Sequence, residues 1–228
     1  MKRVSLIVFA LICCFVAEAQ ITIRPSEIFK IPNISRAKYM TAFDDPALYD
    51  SYYEINDLFT DLYAGDCTWY ETECVHNVVA SSALSSQGSA SYSAANIYDQ
   101  NHETAWVEGV KGYGVGQWIE YQDIEACSED NPEHEIQIDA IKILNGYVKN
   151  DKAWSENSRV KRLKVYCNGK PACILELQDS RSLQEFDVED VLEDFLSGLG
   201  KNTLRFEILE VYPGTKYQDT VISEIYFE

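Results

Sequence analysis

The feature that most constrains this chain is a change of hydrophobic rhythm near His76. From there onward apolar and polar residues alternate in short stretches parted by polar turns: Val75–Ser81, Gln117–Tyr121, Ile136–Leu144, Lys161–Tyr166, Ala172–Leu177, Leu204–Tyr212 and Val221–Phe227. A period of two sends successive side chains to opposite faces of a strand. Strands of this kind, with no helices between them, bury their inner faces by closing into an antiparallel sandwich or barrel. One interruption is expected. Val188, Val191, Leu192, Phe195, Leu196 and Leu199 form the apolar stripe of a helix that starts after Asp187 and ends at Gly198 or Gly200, covering part of the sandwich as an insertion. The acidic stretch Glu125–Glu135, which carries Pro132, reads as a solvated loop.

Upstream of the strands the chain has a different character. Lys2 and Arg3 precede an apolar run from Val4 to Val16 broken only by Ser5, and Ala17-Glu18-Ala19 offers small residues where a signal peptidase cuts. Residues 1–19 therefore read as a cleaved export signal, which puts the mature protein in a secreted, periplasmic or cell-surface setting. Lipid attachment at Cys13 or Cys14 is the weaker reading, since neither follows Gly or Ala. A transmembrane anchor needs roughly 20 apolar residues, and no later window approaches that. Residues 20–75 form an N-terminal extension. Its first part, 20–45, is unpatterned and reads as a leader lying on the surface or loose. A helix is expected at about 46–63, where Leu48, Tyr52, Ile55, Phe59 and Leu62 share one face, Asp45 caps the start and Gly65 stops the end. Residues 76–228 make the main domain.

The net charge of −18, from 37 acidic and 19 basic residues, excludes a phosphate-neutralising surface for nucleic acid and disfavours anionic lipid. Removing the signal takes away two cations and one anion and leaves −19. The mature chain keeps Cys67, Cys74, Cys127, Cys167 and Cys173. Their spacing suggests two local disulfides, Cys67–Cys74 and Cys167–Cys173, with Cys127 left over. The gaps are too long for a zinc site, and His76, His102 and His134 follow no ligand spacing.

The densest pattern lies at 80–121. It contains Ala80-Ser81-Ser82-Ala83-Leu84, then Tyr92-Ser93-Ala94-Ala95-Asn96-Ile97-Tyr98-Asp99, then Thr104-Ala105-Trp106-Val107-Glu108-Gly109 and Gly116-Gln117-Trp118-Ile119-Glu120-Tyr121. This resembles the opening of the discoidin, or coagulation factor five/eight type C, domains, whose fold is a galactose-binding-like jelly roll. Gln100 stands where that family has a turn Gly. Two later blocks, Leu144–Lys149 with Asn157–Lys161, and Val211–Ile225, look like the type C domain of secreted bacterial proteins, including the translocation and glycan-binding region that accompanies NAD glycohydrolases. The resemblance covers about 76–228 and implies an all-β, antiparallel jelly-roll β-sandwich with an N-terminal helical extension and one inserted helix.

Candidate sites follow. Asp99, Asn101 and Thr104 gather hard oxygen atoms on one turn, a donor set that suits Ca²⁺; the resemblance supplies Glu224 as the distant carboxylate, in a structural role. The bland alternative is an Asx-rich turn with Glu224 exposed. Sugar recognition needs an aromatic face and convergent polar groups. Trp106, Tyr147, Trp154 and Tyr217 fall in expected turns, beside Glu108, Asn145, Lys149, Asn157, Arg159, Lys216 and Asp219. The alternatives are that Trp106 is core, that Asn145-Gly146 only forms a turn, and that Lys216 and Tyr217 belong to a structural turn led by Pro213-Gly214.

No catalytic constellation emerges. Carboxylate pairs such as Glu103/Glu108 and Asp187/Asp190 have no distinguishing spacing, and the glycines at 112, 114 and 116 lead into a strand rather than a helix that could hold phosphate. NAD glycohydrolase activity does not carry over, because the catalytic module is separate. The expected function is non-catalytic binding of a glycan or glycosylated surface by loops at one end of the sandwich. The rivals are a module for a protein partner, engaged by the acidic face and the helix at 46–63, and a hydrolase with an unfamiliar site. Lys149, Arg159 and Lys216 place positive charge in the blocks where a ligand is expected.

Overall fold

The structure, a computed structural model, describes residues 20–31, 73–74, 77–99, 101–126, 136–198 and 200–227. The export signal, the helix at 46–63, Cys67, Cys127 and most of the acidic loop lie outside them. The strands are β1 (Ile21–Ile23), β2 (Glu27–Lys30), β3 (Glu73–Cys74), β4 (Asn77–Ala80), β5 (Trp106–Val107), β6 (Trp118–Ala126), β7 (Ala140–Asn145), β8 (Ser158–Cys167), β9 (Lys170–Glu176), β10 (Ser182–Asp187), β11 (Asn202–Tyr212) and β12 (Thr220–Phe227). Each of the seven expected strands is present. Two short helices, α1 (Asp151–Glu156) and α2 (Glu189–Leu192), interrupt them.

Hydrogen bonding runs in the order β2-β10-β7-β12-β8-β11-β6-β3, with β4 on β6, β5 on β12, β9 on β8 and β1 on β9. The path curls into an all-β sandwich with β12 as its seam. That strand is antiparallel to β7 from Glu224↔Leu144 to Phe227↔Ile141, and parallel to β8 at Thr220↔Ser158 and Val221↔Arg159. Consistent with pairing on both sides, Thr220–Phe227 is buried along its whole length. The alternating residues of the other strands build the core: Ile141 and Ile143 from β7, Leu163 and Val165 from β8, Leu204, Phe206 and Ile208 from β11, and Ile119 and Tyr121 from β6. Tyr121 packs edge-on against Phe206 and Phe227 and donates its hydroxyl to the Ile225 carbonyl at 2.7 Å. Its polar end is thereby satisfied inside the core.

Three expectations change. Residues 20–31 are no loose leader: β1 pairs in parallel with β9 through Ile21↔Cys173, and β2 pairs with β10 through Leu183↔Phe29. Phe29 and Ile31 join Leu144, Val148, Leu183 and Tyr226 in a second small core. The inserted helix is shorter than its apolar stripe. Leu192 is buried and Val191, Phe195 and Leu196 pack on the core as expected, but the buried Asn202 side chain accepts from the Ser197 N–H at 2.7 Å and donates to the Ser197 and Gly200 carbonyls. The backbone there turns around Asn202 instead of continuing as helix. Glu125 and Ala126, expected in the acidic loop, extend β6 and pair with β3. Among the described residues no helix is long and apolar enough to cross a membrane.

The Cys167–Cys173 disulfide is also corrected, because both cysteines are free, buried thiols. Cys173 is opposite Val165 and Cys167 opposite Lys170, with a register shift between, so the two residues sit on staggered rungs of the β8–β9 pair. They serve as small apolar core residues. Burial pushes the Cys167 thiol up to about 11 and the Cys173 thiol up to about 12. At pH 8 only about one part in a thousand, or less, would be the reactive thiolate. Alkylation without reductant should therefore spare both residues in the native protein and label both in denaturant, read by peptide mass mapping; a bridge would leave both unlabelled in either condition.

Candidate functional site

A cleft of about 210 Å³ opens between the 81–92 and 213–219 loops, lined by Leu84, Gln87, Tyr92, Val107, Tyr147, Asn157, Tyr217 and Asp219. Its floor is apolar: Ala105, Val107 and Val221 cluster there, with Leu84, Tyr92 and Tyr147 packed against them. Val107 and Val221 are paired residues of β5 and β12. The 81–92 loop folds over β5 because Leu84 donates to the Val107 carbonyl at 2.9 Å and Val107 donates to Tyr92 at 3.4 Å. The opposite wall, residues 213–219, is tied to α1. Thr215 donates to Ser155 and Tyr217 to Glu156, while Ser158 donates its N–H to Asp219 at 3.0 Å and its hydroxyl to the Tyr217 carbonyl at 3.1 Å. Asn157, the C-cap of α1, donates its amide to Ala153. These bonds fix the 213–219 wall within the fold.

Four expected ligand residues, Tyr147, Asn157, Tyr217 and Asp219, thus meet in one cleft with Leu84, Gln87 and Tyr92. Tyr217 is 41% exposed, and the Lys216 ammonium lies 4.5 Å from its ring centroid. Burial, and then the neighbouring Tyr92 and Glu103, raise the Tyr147 hydroxyl above its ordinary range. Asp219 is the only charged side chain in the lining.

The other six are elsewhere. Trp106 is fully buried in the core and donates its indole N–H to Ser82. Glu108 is fully buried and accepts from the Val110 N–H at 2.8 Å and the Thr220 N–H at 3.3 Å; burial raises its carboxyl. Asn145 exchanges two hydrogen bonds with the backbone of Val160, at 2.7 and 2.9 Å, and so acts as a substitute strand rung. Arg159, 6% exposed, is bidentate on Asp179 at 2.7 and 3.1 Å and lies 4.4 Å over the Trp154 ring. Gly146, with φ +84°, leaves the room this stack needs, since a Cβ there would stand 2.7 Å from Arg159 Cγ. Trp154 in turn donates to the Asn145 carbonyl. Lys216 pairs with Glu156 at 3.8 Å, and Lys149 is an exposed side chain outside the cleft. Of the three expected cations only Arg159 is committed to the fold; Lys216 stands beside Tyr217 and Lys149 points to solvent.

The expected metal residues do come together. The Asn101 N–H donates to Asp99 Oδ1 at 3.0 Å and to Glu224 Oε1 at 2.9 Å, across 123 positions of sequence. The Thr104 hydroxyl lies within hydrogen-bond distance of both Asp99 carboxylate oxygens and of the Asn101 carbonyl, at 2.9, 2.8 and 2.7 Å, with one proton to share among these three acceptors. Glu224 is fully buried, with the Asn101 N–H on its Oε1 and the Tyr226 hydroxyl beside it. Burial and the charge of Asp99 push its carboxyl well above the usual range, which the nearby Tyr226 hydroxyl offsets only in part. Among the described residues no three His, Cys, Asp or Glu side chains converge on a metal position; this cluster offers two carboxylates with a hydroxyl and a backbone carbonyl.

Residues 69–228 match the family model of the NAD glycohydrolase translocation F5/8 type C domain. The chain belongs to this family. The family's description is that of a translocation domain, and the strand network described above is all-β. No curated protein matches the chain in sequence. Similar solved structures include the CBM32-1 and CBM32-2 domains of ZmpB from Clostridium perfringens, 11% identical with a TM-score of 0.46, covering 92% of this chain and 42% of that one. Another is CpGH89CBM32-5 from Clostridium perfringens in complex with GalNAc-β-1,3-galactose, 16% identical, TM-score 0.43, covering 66% of this chain and 93% of that one. A third is a Ruminococcus gnavus GH29 fucosidase in complex with fucose, 17% identical, TM-score 0.41, covering 80% and 30%.

Within the type C domain, Arg159→Ala removes a bidentate ion pair and the packing of the guanidinium on Trp154. It should lower unfolding free energy by about 2 kcal/mol, measured by urea titration. A change below about 0.5 kcal/mol would show that the pair does not support the fold.

Proposed function

We propose that this is an exported, non-catalytic module that binds a glycan or glycosylated surface in the cleft between the 81–92 and 213–219 loops. The observation that carries this reading is the convergence of Tyr92, Tyr147 and Tyr217 with Gln87, Asn157 and Asp219 around one small concavity. Tyrosine rings offer flat apolar faces for the C–H side of a pyranose, while amides and a carboxylate serve its hydroxyls. A volume of 210 Å³ is below that of drug-sized pockets and suits about one sugar ring or the end of a chain. That one structural neighbour was solved with a GalNAc-galactose disaccharide is compatible with this, and the sugar for this chain is left to experiment.

The test is a glycan array with wild type and with Tyr147→Ala and Tyr217→Ala. Each substitution should weaken binding at least about tenfold, equivalent to 1.4 kcal/mol, while the exposed Tyr217→Ala keeps stability within about 0.5 kcal/mol. Wild type that binds no glycan and co-purifies with a protein would favour the second reading, a protein-interaction module. The observation favouring that reading is the apolar loop bearing Val110, Tyr113 and Val115, all exposed.

Calcium belongs to the same proposal. Asp99, Glu224, the Thr104 hydroxyl and the Asn101 carbonyl would hold the ion. It would supply charge compensation to two neighbouring carboxylates, one of them fully buried and held well above its usual range by burial and by the charge of Asp99. Its role would be to fasten the Asp99 turn to β12. Calcium at about a hundredfold above its Kd should stabilise the fold by about 2.7 kcal/mol, and Glu224→Gln should abolish that increment. Equal melting temperatures in calcium and in chelator would remove the ion from the account.

A further inference from the structure

The one charged group in the cleft's lining is Asp219. Several partly buried acids elsewhere are paired with a cation, Glu120 with Arg205, Glu210 with Lys161 and Glu176 with Arg24. Asp219 is fixed by its carbonyl, which accepts from the Ser158 N–H, yet among the described residues its carboxylate makes no hydrogen bond or ion pair. Of the two cations expected near it, Arg159 is held on Asp179, while Lys216 lies over the Tyr217 ring and pairs with Glu156 at 3.8 Å. Part of the cleft's donor capacity is used inside the fold: one Asn157 amide N–H goes to the Ala153 carbonyl and the Tyr147 hydroxyl to the Glu103 carbonyl at 3.4 Å. The Gln87 amide and the Tyr92 and Tyr217 hydroxyls are the lining's other neutral polar groups, and the two Asp219 carboxylate oxygens are its one charge.

On the reading that the cleft binds glycan, we infer that it selects uncharged pyranoses and rejects anionic ones, with Asp219 as the specificity-determining residue that accepts hydrogen bonds from two neighbouring sugar hydroxyls. A hydroxyl pair supplies the two donors the carboxylate lacks, and hydrogen bonds to an ionised acceptor are about twice as strong as neutral ones. A uronate, sialate or sulfate group would instead bring like charge into a half-enclosed site on a protein already carrying −18. Selection against such ligands by an uncompensated charge is as effective as added attraction for the right one.

The test pairs galactomannan, arabinogalactan and dextran each with its sulfated derivative, in affinity electrophoresis at physiological salt. The proteins are wild type, Asp219→Asn, Asp219→Lys and Tyr217→Ala, with melting temperatures checked. Wild type should be retarded by at least one neutral polymer and not by its sulfated form. Asp219→Asn should weaken that retention about tenfold or more, and Asp219→Lys should gain affinity for the sulfated form. Equal or better binding of sulfated polymers by wild type, or full retention in Asp219→Asn alongside loss in Tyr217→Ala, would overturn the charge selection while leaving the cleft in place. Binding indifferent to Tyr217→Ala, or absent for every neutral polymer, would remove the cleft reading and this inference with it.

Discussion

The fold and its sites depend on the pairing of β12 with partners on both sides. Eight consecutive residues, Thr220–Phe227, are buried between β7, β8 and β5, and a strand so enclosed has its backbone groups satisfied by the neighbouring strands. Each functional feature hangs from a different position along it. Val221 pairs with Val107 to make the cleft floor, Glu224 reaches the Asn101 N–H of the Asp99 turn, and the Ile225 carbonyl holds the Tyr121 hydroxyl at the centre of the core. A slip of one residue would exchange the faces of every side chain on the strand and dismantle all of these together. The cleft and the acidic turn are consequences of one register.

A second constraint is the cost of burying polar groups, which explains why Arg159 did not go where a ligand was expected. Arg159 sits beside the chain crossing at Trp154, where the backbone carbonyls of Trp154 and Asn157 and the carboxylate of Asp179 can all be met by one planar guanidinium. Asn145 similarly supplies both a donor and an acceptor to Val160. These residues lie in the blocks that carry the family resemblance, yet they act on the backbone. Pattern alone does not separate a polar residue that serves a ligand from one that serves an unpaired carbonyl.

The strands were legible because their alternation records burial directly, as in Leu204, Phe206 and Ile208 of β11. Short elements were less so. β5 is only Trp106–Val107, β10 came without a preceding signal, and β1 and β2 lie in a segment whose few apolar residues, such as Phe29, make sense only against the distant Leu183. Of the inserted helix's stripe, Val188 and Leu192 are buried and Val191, Phe195 and Leu196 pack on the core, whereas the helix's length is set by Asn202, a residue outside the stripe. Of the cleft, Tyr147, Asn157, Tyr217 and Asp219 were visible as residues in turns. Tyr92, Leu84 and Gln87 were hidden within a stretch that reads as fold signature, because only the return of the 81–92 loop over β5 turns them outward.

The central claim is that the tyrosine-lined cleft is the ligand site. Its most direct test is to titrate isotope-labelled protein with neutral mono- and disaccharides and follow backbone and side-chain resonances. The account predicts saturable shifts confined to Tyr92, Tyr147, Asn157, Tyr217 and Asp219, with Arg159 and the residues around α2 unmoved. Saturable shifts centred elsewhere, such as on the Val110–Val115 loop, or a spectrum unchanged by every sugar, would contradict it.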